Sequence, residues 1–408
     1  MTMVAPQPYD VVIAGAGIAG CAAALEAARS GARVALLEKT VLPGGLATAG
    51  LVHIYLPLCD GHGTQVSCGI AEELLQASIK YGPGTIPACW RAGHAAPEHE
   101  RLRVVFSPAA FVLALDELLE QAGVTLWYDT VVCATRVEAG RVTALEVENK
   151  SGRARLHAAC FVDATGDADL ARQAGAAYVE QANWLSLWAF EATLARARDA
   201  VQCGAGTPLL KLVTAGGDNV GNGHPSGMQQ WHGTNGRDVS NYVIESRRLL
   251  RLHYQQCQRD LGEHGRNNAF PLTLPSMAQL RTTCAVVGRA TMRADEAWQA
   301  RADAIGLVAD WRKPGFVWEM PYGALLPRDV RGLLMAGRCI ASVDDAWEVT
   351  RVIPAAAVSG QAAGAAAALA AQQGITPDAL DVAHLQQHLR ARGVPLQYAD
   401  VGLSAPTG

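Results

Sequence analysis

The sequence predicts an α/β fold: a parallel sheet with a β-meander beside it and an inserted α+β cap. Three observations predict it. Residues 9–38, YDVVIAGAGIAGCAAALEAARSGARVALLE, read as strand, glycine turn, helix and strand ending on an acidic residue. Residues 124–162 carry four β-runs in succession. From about 173 to 322 the regular pattern breaks down, and after it a short strand and a long Ala-rich helix restore it. At 408 residues, half of them hydrophobic and 18% charged, the chain can bury a large core. Its formal charge of −4 falls in no blocks of one sign, which excludes a nucleic-acid footprint.

The first segment has a physical assignment at each position. Val11, Val12 and Ile13 are β-branched and lead directly into Gly15-Ala16-Gly17-Ile18-Ala19-Gly20. In a Rossmann-like dinucleotide site, Gly15 allows the tight turn, Gly17 lets backbone approach a pyrophosphate, and Gly20 lets the helix pack on the strand. The helix N-terminus offers unpaired N–H groups to the phosphates, and Glu38 accepts from a ribose. Gly44, Gly45 and Gly50 then form a loop of little bulk on which a flat cofactor could lie, although an ordinary glycine turn reads the same way.

Residues 69–80 read as a helix and 81–100 as a Gly/Pro/Ala/His-rich excursion. Ser107 stands as N-cap ahead of an amphipathic helix over 111–122. Strands are expected at 124–128, 131–137, 142–147 and 156–162, the last feeding Asp163-Ala164-Thr165-Gly166-Asp167, where Asp167 is placed to meet a sugar hydroxyl. The middle region holds Trp184, Trp188, Trp231, Trp311 and Trp318 and a basic helix over 243–258. Its tryptophans either face a substrate or fill the cap's own core. A strand over 332–336 ends on Gly337-Arg338, and a helix over 351–372 carries Pro354 near its first turn. The expected organisation is 1–172 and 323–408 forming the nucleotide-binding part around a cap at 173–322.

With these residues in view, the chain resembles the FAD-dependent oxidoreductases of the glutathione-reductase-like flavoproteins. It is most similar to the broad FAD-dependent oxidoreductase family related to fumarate reductase flavoprotein subunits. GAGIAG through Glu38 with PGGLATAG, FVDATGDADLARQAGA, and GLLMAGRCIASVDDAWEVTRVIPAAAVSGQAAGAAAALA carry the match. The resemblance implies that Gly15, Gly17, Gly20 and Glu38 hold the ADP half of FAD, that Gly44 and Gly45 lie toward the isoalloxazine, and that Asp167 and Arg338 lie near the pyrophosphate and ribityl chain. Ile18, Ala19, Lys39, Leu46, Ala47, Val132, Thr165, Gly166, Gly337 and Pro354 complete the implied site. The chain departs from the family at Asp344, Asp345 and Glu348, where His, Glu and Gly or Ser are frequent. An Arg-rich RETRR-like element survives only as Arg281-Thr282-Thr283-Cys284.

The expected activity is oxidation of a small organic substrate, an amine, alcohol or C–C bond, by hydride transfer to flavin N5. A flavin monooxygenase, a fumarate-reductase-like alkene reductase and a non-catalytic electron-transfer subunit are the alternatives. No second GxGxxG and no CxxC occurs, which leaves oxygen, a quinone, a protein or transient NAD(P)H as electron partner. Asp344, Asp345 and Glu348 precede Arg351, so a desolvated carboxylate could serve as base and Arg351 could orient an anion. An acidic helix start with a surface ion pair is the competing reading.

His53, Cys59, His62 and Cys68 form no tight zinc spacing, so no metal is expected, and His53 is a candidate for the pocket wall. His224 and His232 are weaker proton-transfer candidates. FAD is expected to be non-covalent, because His53 follows the glycine loop where the covalently attaching relatives have their His before it. MTMVAPQP lacks a basic n-region and residues 354–371 are mostly Ala, so no signal peptide and no membrane span are expected, and the reading is cytoplasmic. A homo-oligomer is left open.

Overall fold

The computed structural model of the chain describes residues 9–86, 103–218 and 220–405. The N-terminal octapeptide and most of the Gly/Pro-rich excursion lie outside the described residues.

Strand β1 (Tyr9–Ala14) runs into helix α1 (Ile18–Arg29), and β2 (Val34–Leu37) returns parallel to β1 with Val11 opposite Val34. Helix α2 (Ile70–Ser78) is shorter than the sequence suggests: Gly69 stands before it at a φ of 63°, and Ile79 and Lys80 turn away after it. Helix α3 (Pro108–Gln121) begins where Ser107 accepts from the Ala110 amide, with proline in its first turn. Strand β3 (Thr125–Trp127) then adds to the outer side of β2.

Strands β4 (Val131–Glu138), β5 (Arg141–Asn149) and β6 (Gly152–Asp163) make the meander. Strand β6 is long enough to serve two sheets at once. Its first half pairs antiparallel with β5, Asn149 opposite Gly152, and its second half pairs parallel with β1, Ala14 opposite Asp163. The sheet order is β3-β2-β1-β6-β5-β4, and a strand over Leu333–Met335 also pairs β6. The meander is thus a continuation of the nucleotide-binding sheet.

The middle region is more regular than its sequence. Strand β7 (Ser186–Thr193) lies between β8 (Leu212–Gly216) and β9 (Ala269–Thr273) in an antiparallel sheet. Helix α4 (Gly236–Asp260) starts seven residues before the basic stretch, because Asn235 accepts from the Arg237 and Asp238 amides. It buries Tyr242, Ser246, Leu250 and Tyr254, four residues apart and so on one face. Two further strand pairs, 178–180 with 284–286 and 304–309 with 317–321, were not legible as strands.

Strand β10 (Leu333–Met335) adds parallel to β6, after which come α5 (Asp344–Thr350) and α6 (Ile353–Gln373). Helix α6 is long and apolar enough to cross a membrane, yet its apolar stretch is buried inside the protein. It crosses α1 at backbone distance: a Cβ on Gly360 or Gly364 would run into the carbonyl oxygens of Ala19 and Ala23. Gln361 accepts from the Ile70 amide at the start of α2 and donates to buried Glu26 of α1, so three helices are joined by one side chain.

Candidate active site

Two glycine loops make one groove. The Gly44 amide donates to the Ala16 carbonyl at 2.7 Å, which lays the second loop against the first. Gly15 needs to be glycine for the chain's own sake, with φ at 92° and a Cβ that would stand 2.6 Å from the Ala164 carbonyl oxygen. Gly17 does not. Its φ of −65° suits any residue, and a Cβ there would meet nothing nearer than Ala164 O at 4.0 Å. Its side faces the groove, so the space a methyl group would take belongs to something bound.

That bound group fits a dinucleotide. Gly17 caps α1 without a side-chain hydrogen bond and no acid stands in the first turn, so the amides of Ile18 and Ala19 remain for phosphates. Glu38 lines the groove while accepting from the Ala16 amide, the Thr40 amide and the Thr40 hydroxyl, each at 2.9 Å. Those three bonds leave about one of a carboxylate's roughly four acceptor sites for a ribose hydroxyl.

Of the residues the sequence assigns to the cofactor, Gly15, Gly17, Ile18, Ala19, Glu38, Lys39, Gly44, Gly45, Leu46 and Ala47 line the groove. Val132, Thr165, Gly166, Gly337 and Arg338 line it too. Gly20 sits behind, where a Cβ would collide with the Gly15 carbonyl. Asp167 is held by Arg338 at 2.6 Å and by the Thr283 hydroxyl at 2.8 Å, and Asp169, which the sequence did not single out, joins Glu38 as an acid on the groove wall. Burial, followed by the nearby Asp167 charge, raises the Asp169 pKa. The GDAD repeat two residues on was the available signal. Ile353 and Ala356, in place of Pro354, present α6 to the groove.

A second cavity of about 690 Å³ opens beside this groove and shares Leu46, Ala47, Arg351 and Ile353 with it. Its wall is aliphatic at Val52, Ile54, Leu56 and Pro57, indole at Trp188 and Trp311, and cationic at Arg103, Arg281 and Arg351. The Gln279 amide is fixed: Oε1 accepts from the Trp188 amide at 2.7 Å, and Nε2 donates to the Gly50 and Trp188 carbonyls. Of the five tryptophans in the middle region, Trp188 and Trp311 face this cavity, Trp231 and Trp318 are buried in the core, and Trp184 meets His224 edge-on.

Among the proposed acid–base residues only Arg351 lines the cavity. Glu348 is its ion-pair partner one turn back. Asp345 bonds Arg312 and Lys313 at 2.6 Å each, and the Arg312 hydrogen bond leads in holding its carboxyl below the usual range. Asp344 starts α5 at a φ of 51°. His53 is buried edge-on against Phe190 with Nδ1 unpartnered, and burial lowers its pKa to about 4 against an opposing backbone bond at Leu210. His224 accepts from the Leu185 amide at Nδ1 and donates from Nε2 to the Met228 carbonyl as a loop brace, and half-exposed His232 lies 3.4 Å from Glu180. Cys59 is buried, burial raises Cys68 to about 11, and no group of three His, Cys, Asp or Glu among the described residues could hold a metal. Neither these cysteines nor His62 lines the groove or the cavity.

The FAD dependent oxidoreductase family model matches residues 10–187 and 188–389. A vinyl phenol reductase from Lactiplantibacillus plantarum is 41% identical over 83 residues, 20% of this chain and 16% of that protein. A thioredoxin reductase from Ureaplasma parvum is 38% identical over 73 residues, 18% of this chain and 24% of that one. The chain therefore spans less than a quarter of either curated relative. Among solved structures, a geranylgeranyl bacteriochlorophyll reductase-like protein from Thermoplasma acidophilum aligns over 95% of this chain and 82% of its own, at 13% identity and a TM-score of 0.41. AlpK aligns over 89% and 62%, at 14% identity and a TM-score of 0.42. Matched by its family model along nearly the whole length, from β1 to beyond α6, the chain belongs to the FAD dependent oxidoreductase family.

Proposed function

We propose that the protein binds FAD non-covalently and oxidises a small organic substrate, an amine, alcohol or C–C bond, in the 690 Å³ cavity. The observation that carries this reading is the shared wall: Leu46, Ala47, Arg351 and Ile353 belong to both cavity and groove, so a molecule in one touches the contents of the other. The α1 amides, Glu38 and Lys39 would hold the adenosine diphosphate end, and Gly166, Gly337 and the first turn of α6 the far end. Bound FAD supplies a two-electron acceptor for hydride at its N5. The chain's own contribution is binding and orientation: Trp188, Trp311 and the aliphatic wall exclude water, and Arg351, steadied by Glu348, positions the substrate.

Purified protein should be yellow, release free flavin on denaturation, and bleach under anaerobic conditions with a member of a metabolite panel. Colourless protein that takes up no added FAD refutes the reading. A second reading, reduction of an activated alkene, is favoured by the vinyl phenol reductase similarity and by the arginines on the cavity wall, which suit an enoate. Reoxidation of the reduced enzyme by an enoate under nitrogen, with no metabolite bleaching the oxidised form, selects it.

A further inference from the structure

A small chamber in the middle region bears on where the electrons go, on the reading that the groove holds FAD. It lies between β7, α4 and segment 275–279, measures about 120 Å³, and is walled by Leu187, Tyr242, Val243, Ser246, Met277 and Gln279 among others. Two of these residues serve a second space. Met277 also lines the cofactor groove, and Gln279 also lines the 690 Å³ cavity. The chamber is therefore one side chain removed from both cofactor and substrate. Arg247 and Ser276, which also line it, are exposed, so it opens to solvent there.

The polarity of the chamber is uneven. Ser246 is 1% exposed, and its Oγ has no hydrogen-bond partner among the described residues. Tyr242 and Gln279 are committed elsewhere: the Tyr242 hydroxyl donates to the Ser186 carbonyl at 2.6 Å, and the Gln279 amide serves the Trp188 backbone and the Gly50 carbonyl. A buried water asks for about two to four polar partners, which one hydroxyl does not supply. An orphaned hydroxyl is itself costly. The occupant that answers both conditions accepts one hydrogen bond and otherwise prefers apolar walls. Size narrows it further. An apolar cavity of about 150 Å³ holds benzene or xenon, so this smaller one admits only a few heavy atoms and excludes a quinone or a nicotinamide.

We propose that this chamber is a station for dioxygen and that oxygen is the protein's electron acceptor. O2 enters beside Arg247 and Ser276, rests on the apolar walls with Ser246 donating to one of its oxygens, and passes Met277 to reach the cofactor. Methionine suits that passage because its unbranched side chain adapts readily. The transfer balances: reduced FAD gives up two electrons and two protons, O2 takes them as hydrogen peroxide, and oxidised FAD is restored.

The test reduces the FAD-loaded protein anaerobically with light and EDTA, mixes it with oxygenated buffer or with ferricyanide, and follows the flavin absorbance. Ser246→Leu, which fills the chamber, should slow reoxidation by oxygen about tenfold or more. It should leave ferricyanide unaffected, because that ion is too large to enter. Ser246→Ala keeps the space and loses one neutral hydrogen bond, so it should slow oxygen only about threefold. On the unaltered protein, which decides alone if a variant fails to fold, xenon under pressure should compete with oxygen and slow that reaction only. Native oxygen reactivity in Ser246→Leu, ferricyanide slowed equally, xenon without effect, or a reduced protein that oxygen does not reoxidise overturns the assignment. Xenon NMR on flavin-free protein separates the two readings: a xenon site that Ser246→Leu abolishes, in a protein that takes up no FAD, would keep the chamber as a gas site and sink the FAD reading.

Discussion

Gly17 and Gly20 belong to one motif, yet a methyl group harms them differently. At Gly17 the backbone is ordinary and the space is open, so Gly17→Ala should melt like the native apoprotein while losing FAD affinity about tenfold or more, as measured by flavin titration. At Gly20 the methyl collides with the Gly15 carbonyl, so Gly20→Ala should lose roughly 1–3 kcal/mol of stability with or without FAD. Equal flavin affinity in Gly17→Ala and native protein would remove the argument that the groove holds the cofactor.

His53 and Asp163 give a second residue-scale prediction. Burial holds His53 at about 4 against an ordinary 6.5, so its contribution is complete above 6.5 and is lost as pH falls through 4. Burial raises Asp163 from 3.8 to about 6, so its contribution is complete below 3.8 and is lost as pH rises through 6. The two slopes oppose each other across the same window. His53→Phe should remove the His53 slope, so that the native and variant stabilities diverge by on the order of 3 kcal/mol as pH falls from 6.5 to 4 in urea titrations. A profile parallel to the native one sinks this account.

Among elements, the crossing of α1 and α6 reverses a usual sign. Glycine to alanine inside a helix ordinarily gains about 1 kcal/mol. Gly364→Ala places its methyl on the Ala23 carbonyl and should instead cost roughly 1–3 kcal/mol, read as a lower melting temperature. That small-residue face was legible in the sequence, as were the first three elements and the meander, because each is a local period. The roles of residues 344–351 were not. Asp345 and Arg351 are six residues apart on a helical backbone, about 240° around the axis, so they cannot face one cavity; Glu348 and Arg351, three apart, can pair. Closeness in sequence was read as closeness in space. The start of α4 was missed for a similar reason, since the helix was dated from its basic stretch at 243–258 and its cap, Asn235, lies eight positions ahead of that stretch.

In the molecule as a whole, the groove is assembled from residues 15–47, 130–132, 164–169 and 336–356, with Met277 added from the middle region. Only the intact fold brings these together, so FAD at a hundred times its Kd should raise unfolding stability by about 2.7 kcal/mol, and a denaturation midpoint independent of FAD would contradict it. The glycine half of this assembly could be read in advance. Gln279 and Met277 could not, because they reach the site through long-range packing that leaves no period in the chain, whereas Trp188 was a candidate by its type alone. Arg338 shows what that packing does mechanically. One buried guanidinium grips the Gly166 carbonyl, Asp167 and the Leu280 carbonyl, while its own carbonyl accepts from Trp347. Segment 280–283 is thereby tied to the nucleotide-binding sheet through one side chain, and amides 281–283 should exchange with deuterium more slowly than those of β9 at the sheet edge.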